Sequence, residues 1–116
     1  MLADVRFRDG DGAVVAHLTG EIDQSNADSI RRALVDTVTN HVAKLVLDLT
    51  DVDYLDSAGI RLIFWLREQL RTRGQALELV VPSASPTSDA LRLAGVLHHL
   101  RTIEAIDEAP HWRSSN

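Results

Sequence analysis

Cysteine is absent from the chain, which excludes disulfides and thiolate metal sites. No apolar run approaches the ~18 residues that a membrane span needs. The opening Leu2 to Asp9 is not a secretory signal peptide. Together these absences point to the cytoplasm. Positive charge is also short: 12 basic against 17 acidic residues leave a formal net charge of −5. That balance argues against a nucleic-acid-binding face. There is no internal repeat, no low-complexity segment and no Walker-type glycine loop for a nucleotide. Histidine is present at 17, 41, 98, 99 and 111. Only His98 and His99 are adjacent, and neighbours on a helix diverge by about 100°, so no metal site is expected.

What is there fits one small globular domain. The 116 residues are 45% hydrophobic and 25% charged, enough for a single core and unlike a disordered chain. Ala3, Val5 and Phe7 alternate with Asp4, Arg6 and Arg8, the period of a half-exposed strand. Asp9-Gly10-Asp11-Gly12 is a turn, and Val14, Ala16 and Leu18 face one way on the returning strand. A helix then starts with Ser25 as N-cap and Asp28 three residues on, with a core stripe of Ala27, Ile30, Leu34 and Val38. Leu45-Val46-Leu47 is apolar without alternation, as in a strand covered on both faces. Asp51, Asp53 and Asp56 read as a polar loop, followed by a helix from Ala58 to Arg73 with Ser57 at its N-cap and Gly74 closing it. A strand from Ala76 to Val81 follows. Ser85-Pro86 is an N-cap and first-turn pair for a helix that ends at Gly95. Leu100 to Ile103 reads as a short last strand, Pro110 limits any final helix, and residues 110–116 read as a loose tail.

Two successive crossover units predict three parallel strands behind an antiparallel hairpin, an α/β fold. Parallel strands place their C-terminal ends on one edge. Glu21 and Asp23, then Asp51, Asp53, Asp56 and Ser57, then Ser83 and Ser85 are therefore expected on one rim, where open α/β sheets carry their sites. On the helix after Ser57, Gly59, Leu62, Ile63, Leu66 and Leu70 form the core face. Ile60 and Phe64 are expected on the outer face, as a partner contact.

Leu47-Asp48-Leu49, Tyr54-Leu55-Asp56-Ser57 and Gly59 resemble the signature of STAS domains, and more narrowly of bacterial anti-sigma factor antagonists. Gly20-Glu21-Ile22-Asp23 resembles the family's Gly-Glu-(Leu/Ile/Val)-Asp loop. The resemblance spans roughly Leu2 to Ile106, implies a domain over residues 1–109, and implies a small mixed sheet with helices packed against it. It departs at the C-terminus, where the family usually has a fuller helix. It further implies that Ser57 is phosphorylated by an anti-sigma factor that is also a serine kinase, and that Asp23 lies near that serine and supports partner engagement. In this reading the unphosphorylated protein binds the kinase through Glu21, Asp23, Asp56, Ser57, Ile60 and Phe64, freeing a sigma factor, and a phosphatase resets it. No cofactor, metal or enzymatic activity is expected.

Three other readings compete. A STAS subunit of a lipid-transport or stress-signalling assembly would use the same fold as a structural binding module. A receiver-like phosphoaspartate protein with Mg²⁺ needs a lysine at the rim, and Lys44 starts its strand at the other end. A serine hydrolase elbow needs glycine two residues before the serine, where Leu55 stands, and no histidine is clearly placed at the rim.

Overall fold

The computed structural model describes residues 4–95 and the strand 101–104. The order is β1 (Asp4–Gly10), β2 (Ala13–Ile22), α1 (Ala27–Thr37), β3 (Lys44–Leu55), α2 (Ser57–Thr72), β4 (Ala76–Val81), α3 (Pro86–Leu93) and β5 (Arg101–Glu104). The strands form one five-stranded sheet in sequence order. His98, His99, Leu100, the boundary at 109 and the tail 110–116 lie outside the described residues.

β1 and β2 form the expected hairpin, paired from Asp4↔Thr19 to Gly10↔Ala13. Its two-residue turn has φ 50° at Asp11 and φ 78° at Gly12, the doubly left-handed turn whose twist matches that of the strands it joins. From β2 onward every neighbour is parallel. Four strands are therefore parallel where three were expected, because α3 makes a third crossover to β5.

Right-handed crossovers that step one way across a sheet put every helix on the same face. The packing agrees. Val14, Ala16 and Leu18 of β2, Leu45, Leu47 and Leu49 of β3, and Leu77, Leu79 and Val81 of β4 share one buried cluster with residues of all three helices. Ile30, Leu34, Leu62, Ile63, Leu66, Leu70 and Leu91 are the helical members. The alternate strand positions Val15, Val46 and Val80 form a second, smaller cluster on the other face. α2 ends as expected: Gly74 has φ +71°, its N–H donates to Arg71 O, and Gln75 N–H donates to Leu70 O at 2.8 Å. These two bonds satisfy carbonyls the helix end would leave open. Among the described residues no helix is long and apolar enough to cross a membrane.

Three expectations need correction. Asp51 and Asp53 are not in a loop but in the extension of β3, which keeps pairing with β2 as Asp51↔Thr19, Val52↔Gly20, Tyr54↔Glu21 and Leu55↔Ile22. Two register shifts, between His17 and Thr19 and between Gly20 and Glu21, absorb the extra residues of β3. Such bulges let Val52 and Leu55 both reach the core while the acids stay outside.

Ser25 is not the N-cap of α1. Asn26 occupies that position without a side-chain cap bond, because Ser25 is captured by Asp23.

Ile60 and Phe64 are not on a free outer face. Both are half-buried and pack against the main core cluster, because the cluster extends beyond the central stripe of α2. Trp65 does the same.

Candidate functional site

The C-terminal rim of β2 and β3 is held together by one carboxylate. Asp56 follows β3 directly, and its N–H donates to Ile22 O at 3.1 Å. Its Oδ1 accepts from Ala58 N–H at 2.8 Å and Gly59 N–H at 3.1 Å. These are orphan donors of the first turn of α2, so Asp56, not Ser57, is the N-cap. Its Oδ2 accepts from Gln24 N–H at 3.2 Å. One side chain thus closes the start of α2 and ties it to the β2–α1 loop.

That loop is ordered by its own polar residues. Asp23 Oδ1 accepts from Ser25 N–H at 2.9 Å and from the Ser25 hydroxyl. The Ser25 hydroxyl, helped by the N–H groups of Ser25 and Asn26, holds the Asp23 carboxyl below the usual carboxylate range. Asn26 is buried; its Oδ1 accepts from Asp23 N–H at 3.0 Å and its Nδ2 donates to Glu21 O at 2.8 Å. Sequence reasoning missed Asn26, although an Asn beside a turn is a ready backbone brace.

Ser57 is the first residue of α2, is exposed, and its hydroxyl makes no hydrogen bond among the described residues. Since Asp56 has taken the capping role, that hydroxyl is left over. Expected outcomes differ accordingly. Asp56→Ala should lose about 1–2 kcal/mol, whereas Ser57→Ala should stay within ~0.5 kcal/mol. Urea unfolding of both variants checks this, and equal losses would show the cap to be misassigned.

Glycine at position 59 has a packing reason. A Cβ there would lie 2.4 Å from Leu55 Cδ1 and 3.1 Å from Ile22 Cγ2. Only a bare backbone lets α2 approach the ends of β2 and β3 this closely.

The remaining rim candidates are less connected. Asp53 and Tyr54 are exposed, Tyr54 at 51%. Ser85 caps α3 by accepting from Ser88 N–H at 3.1 Å, and its hydroxyl donates to Pro82 O at 2.9 Å. Ser83 is exposed. Neither serine bonds to Asp56 or Ser57 among the described residues.

Asp51 belongs to a different group. His17 Nε2 lies 2.8 Å from Asp51 Oδ2, and His17 Nδ1 lies 3.1 Å from Asp48 Oδ2. Asp48 is fully buried and also accepts from the Thr50 N–H and hydroxyl. This cluster clasps β2 to β3 at the first register shift. It was missed because a lone acid inside an apolar strand carries no signal of its partner.

Between α1 and α2 lies a cleft of about 310 Å³, lined in part by Gln24, Asp28, Arg31, Arg61 and Trp65. The Arg31 guanidinium sits 5.2 Å from the Trp65 ring centre and 3.5 Å from Asp28. Among the described residues no cluster of His, Cys, Asp or Glu is suited to a metal ion.

The profile of the family described as "STAS domain" matches residues 3–109. Anti-sigma-F factor antagonist RsfB of Mycobacterium tuberculosis is 28% identical over 106 residues, covering 90% of this chain and 84% of RsfB. BtrV of Bordetella bronchiseptica is 36% identical over 61 residues, and the chain spans 53% of BtrV's length. The crystal structure of an anti-sigma factor antagonist from Mycobacterium paratuberculosis superposes with a TM-score of 0.81 at 25% identity, covering 93% of this chain and 91% of that one.

Proposed function

Because the chain belongs to the STAS domain family, we propose that it is an anti-sigma factor antagonist controlled by phosphorylation at Ser57. Unphosphorylated, it binds an anti-sigma factor that is a serine kinase and frees the sigma factor. The kinase transfers the γ-phosphoryl group of ATP to Ser57 Oγ, releasing ADP and the hydroxyl proton, and the modified protein lets go. A phosphatase returns it to the binding state. The chain acts as a binding module with no catalysis of its own, in line with relatives such as RsfB, named an anti-sigma-F factor antagonist.

The observation that carries this reading is the unengaged, exposed hydroxyl of Ser57 directly after a residue that fixes both loops of the rim. Phosphate adds a charge of about −1.5 to −2. Such a charge of about two units, about 7 Å from one partner carboxylate at an effective dielectric of ~40–80, costs roughly 1–2.5 kcal/mol, or about ten- to fiftyfold in affinity. Switching therefore needs no unfolding. Glu21, Asp23 and Asp56 form the acidic surround of the docking surface. Ile60 and Phe64, being half-buried, contribute only the part of their surface that packing leaves open.

The test is incubation with ATP and the cognate anti-sigma kinase, followed by intact-mass measurement and peptide mapping. One phosphate on Ser57 is expected, with Ser57→Ala remaining folded and bound to the kinase. Phosphate on Ser83 or Ser85 with Ser57 unmodified would overturn the assignment. Equal partner affinity for wild type and Ser57→Asp would overturn the electrostatic mechanism.

A further inference from the structure

We propose that a phosphate on Ser57 is held in cis by Arg61, so that the modification also remodels the mouth of the α1–α2 cleft. The proposal rests on Ser57 being the phosphorylated residue. Ser57 and Arg61 are the first and fifth residues of α2, four apart and so on the same side of the helix, about 6 Å apart along its axis. Helical side chains lean toward the N-terminus, and a long one covers the turn before its own Cα. Arg61 therefore extends over the turn that begins with Ser57.

The cation is available. Arg61 is exposed and has no ion pair among the described residues. Farther along α2, Arg71 is paired with Glu68, and on the facing helix Arg31 is paired with Asp28 of its own helix and lies over Trp65. The acids nearby, Asp23 and Asp56 at the rim and Asp28 in the cleft, have their contacts in Ser25, the α2 cap and Arg31. A dianion arriving at Ser57 thus meets repulsion from Asp23 and Asp56 on the loop side and an open guanidinium on the helix side. Guanidinium and phosphate match as a planar fork and its acceptor oxygens, among the strongest hydrogen-bonded pairs in proteins. The phosphate turns toward Arg61, and Arg61 is drawn away from the cleft it lines.

The test does not need the kinase. Phosphoserine is installed at position 57 during synthesis, in the wild-type background and in Arg61→Gln, and thermal midpoints are compared with those of the unmodified forms. The phosphate should raise the wild-type midpoint by roughly 3–6 °C, and Arg61→Gln should forfeit at least half of that gain. The Arg61 side-chain N–H resonance should also move on phosphorylation of the wild type. Equal shifts of midpoint in both backgrounds, or an unmoved Arg61 resonance, would overturn the proposal. A kinase that modifies a different serine defeats the proposed function and leaves this comparison readable, so the two failures are distinguishable.

Discussion

Gly59→Val is expected to destabilise the protein by about 3 kcal/mol, an overpacking cost at the upper end of the usual range. The new Cβ would sit 2.4 Å from Leu55 Cδ1 and 3.1 Å from both Leu55 Cγ and Ile22 Cγ2. Leu55 and Ile22 are buried, so neither can swing into solvent. Each also precedes a rim acid, Asp56 or Asp23, and relief of the clash moves the backbone that carries those carboxylates. Gly59→Ala separates the effects. Alanine gains about 1 kcal/mol of helix propensity over glycine, so a net loss of stability in that variant shows that the contact outweighs the propensity. Urea unfolding measures both. An alanine variant more stable than wild type by about 1 kcal/mol would mean that Leu55 yields easily and that the glycine is not a packing requirement.

Asp48→Ala should cost a similar amount, about 3 kcal/mol. The carboxylate is fully buried and serves Thr50 N–H, the Thr50 hydroxyl and His17 Nδ1. Its removal leaves those groups facing a cavity at the point where β3 shifts register. Asp51 bonds the other nitrogen of the same ring, but its side chain is 54% exposed. Solvent already competes for that contact, and Asp51→Ala should lose no more than ~1 kcal/mol. Chemical denaturation of the two variants tests the contrast. Equal losses would mean that burial is not what makes the clasp matter.

Local patterns reported the fold well wherever one local rule decided the outcome. The Asp11-Gly12 turn, the strand Ala76 to Val81, the Ser85-Pro86 helix start and the Gly74 stop are each set by a few adjacent residues. Errors arose where two nearby polar residues competed for the same group, or where the outcome depended on packing beyond the local segment. Ser25 looks like a cap in isolation, yet Asp23 engages it first. Ser57 looks like a cap as long as Asp56 is read as part of a loop, although an Asp one residue earlier reaches the same amides. The acids of β3 looked like a loop because two bulges interrupt the alternation that marks a strand. Ile60 and Phe64 were misplaced because angular position on α2 says where a residue points and not how far the core spreads. The meeting of the Glu21–Asp23 segment with Asp56 was readable from topology alone, since it follows from parallel strands ending on one edge.

Asp56 and Ser57 divide their labour: one residue carries the architecture of the rim, and its neighbour carries none. Position 57 is therefore nearly free of structural debt. A single codon change there can remove or restore the hydroxyl without a compensating change elsewhere. Under the function proposed above, the same scaffold would pass between a regulated and a permanently active form in one mutational step, whereas position 56 has no such freedom.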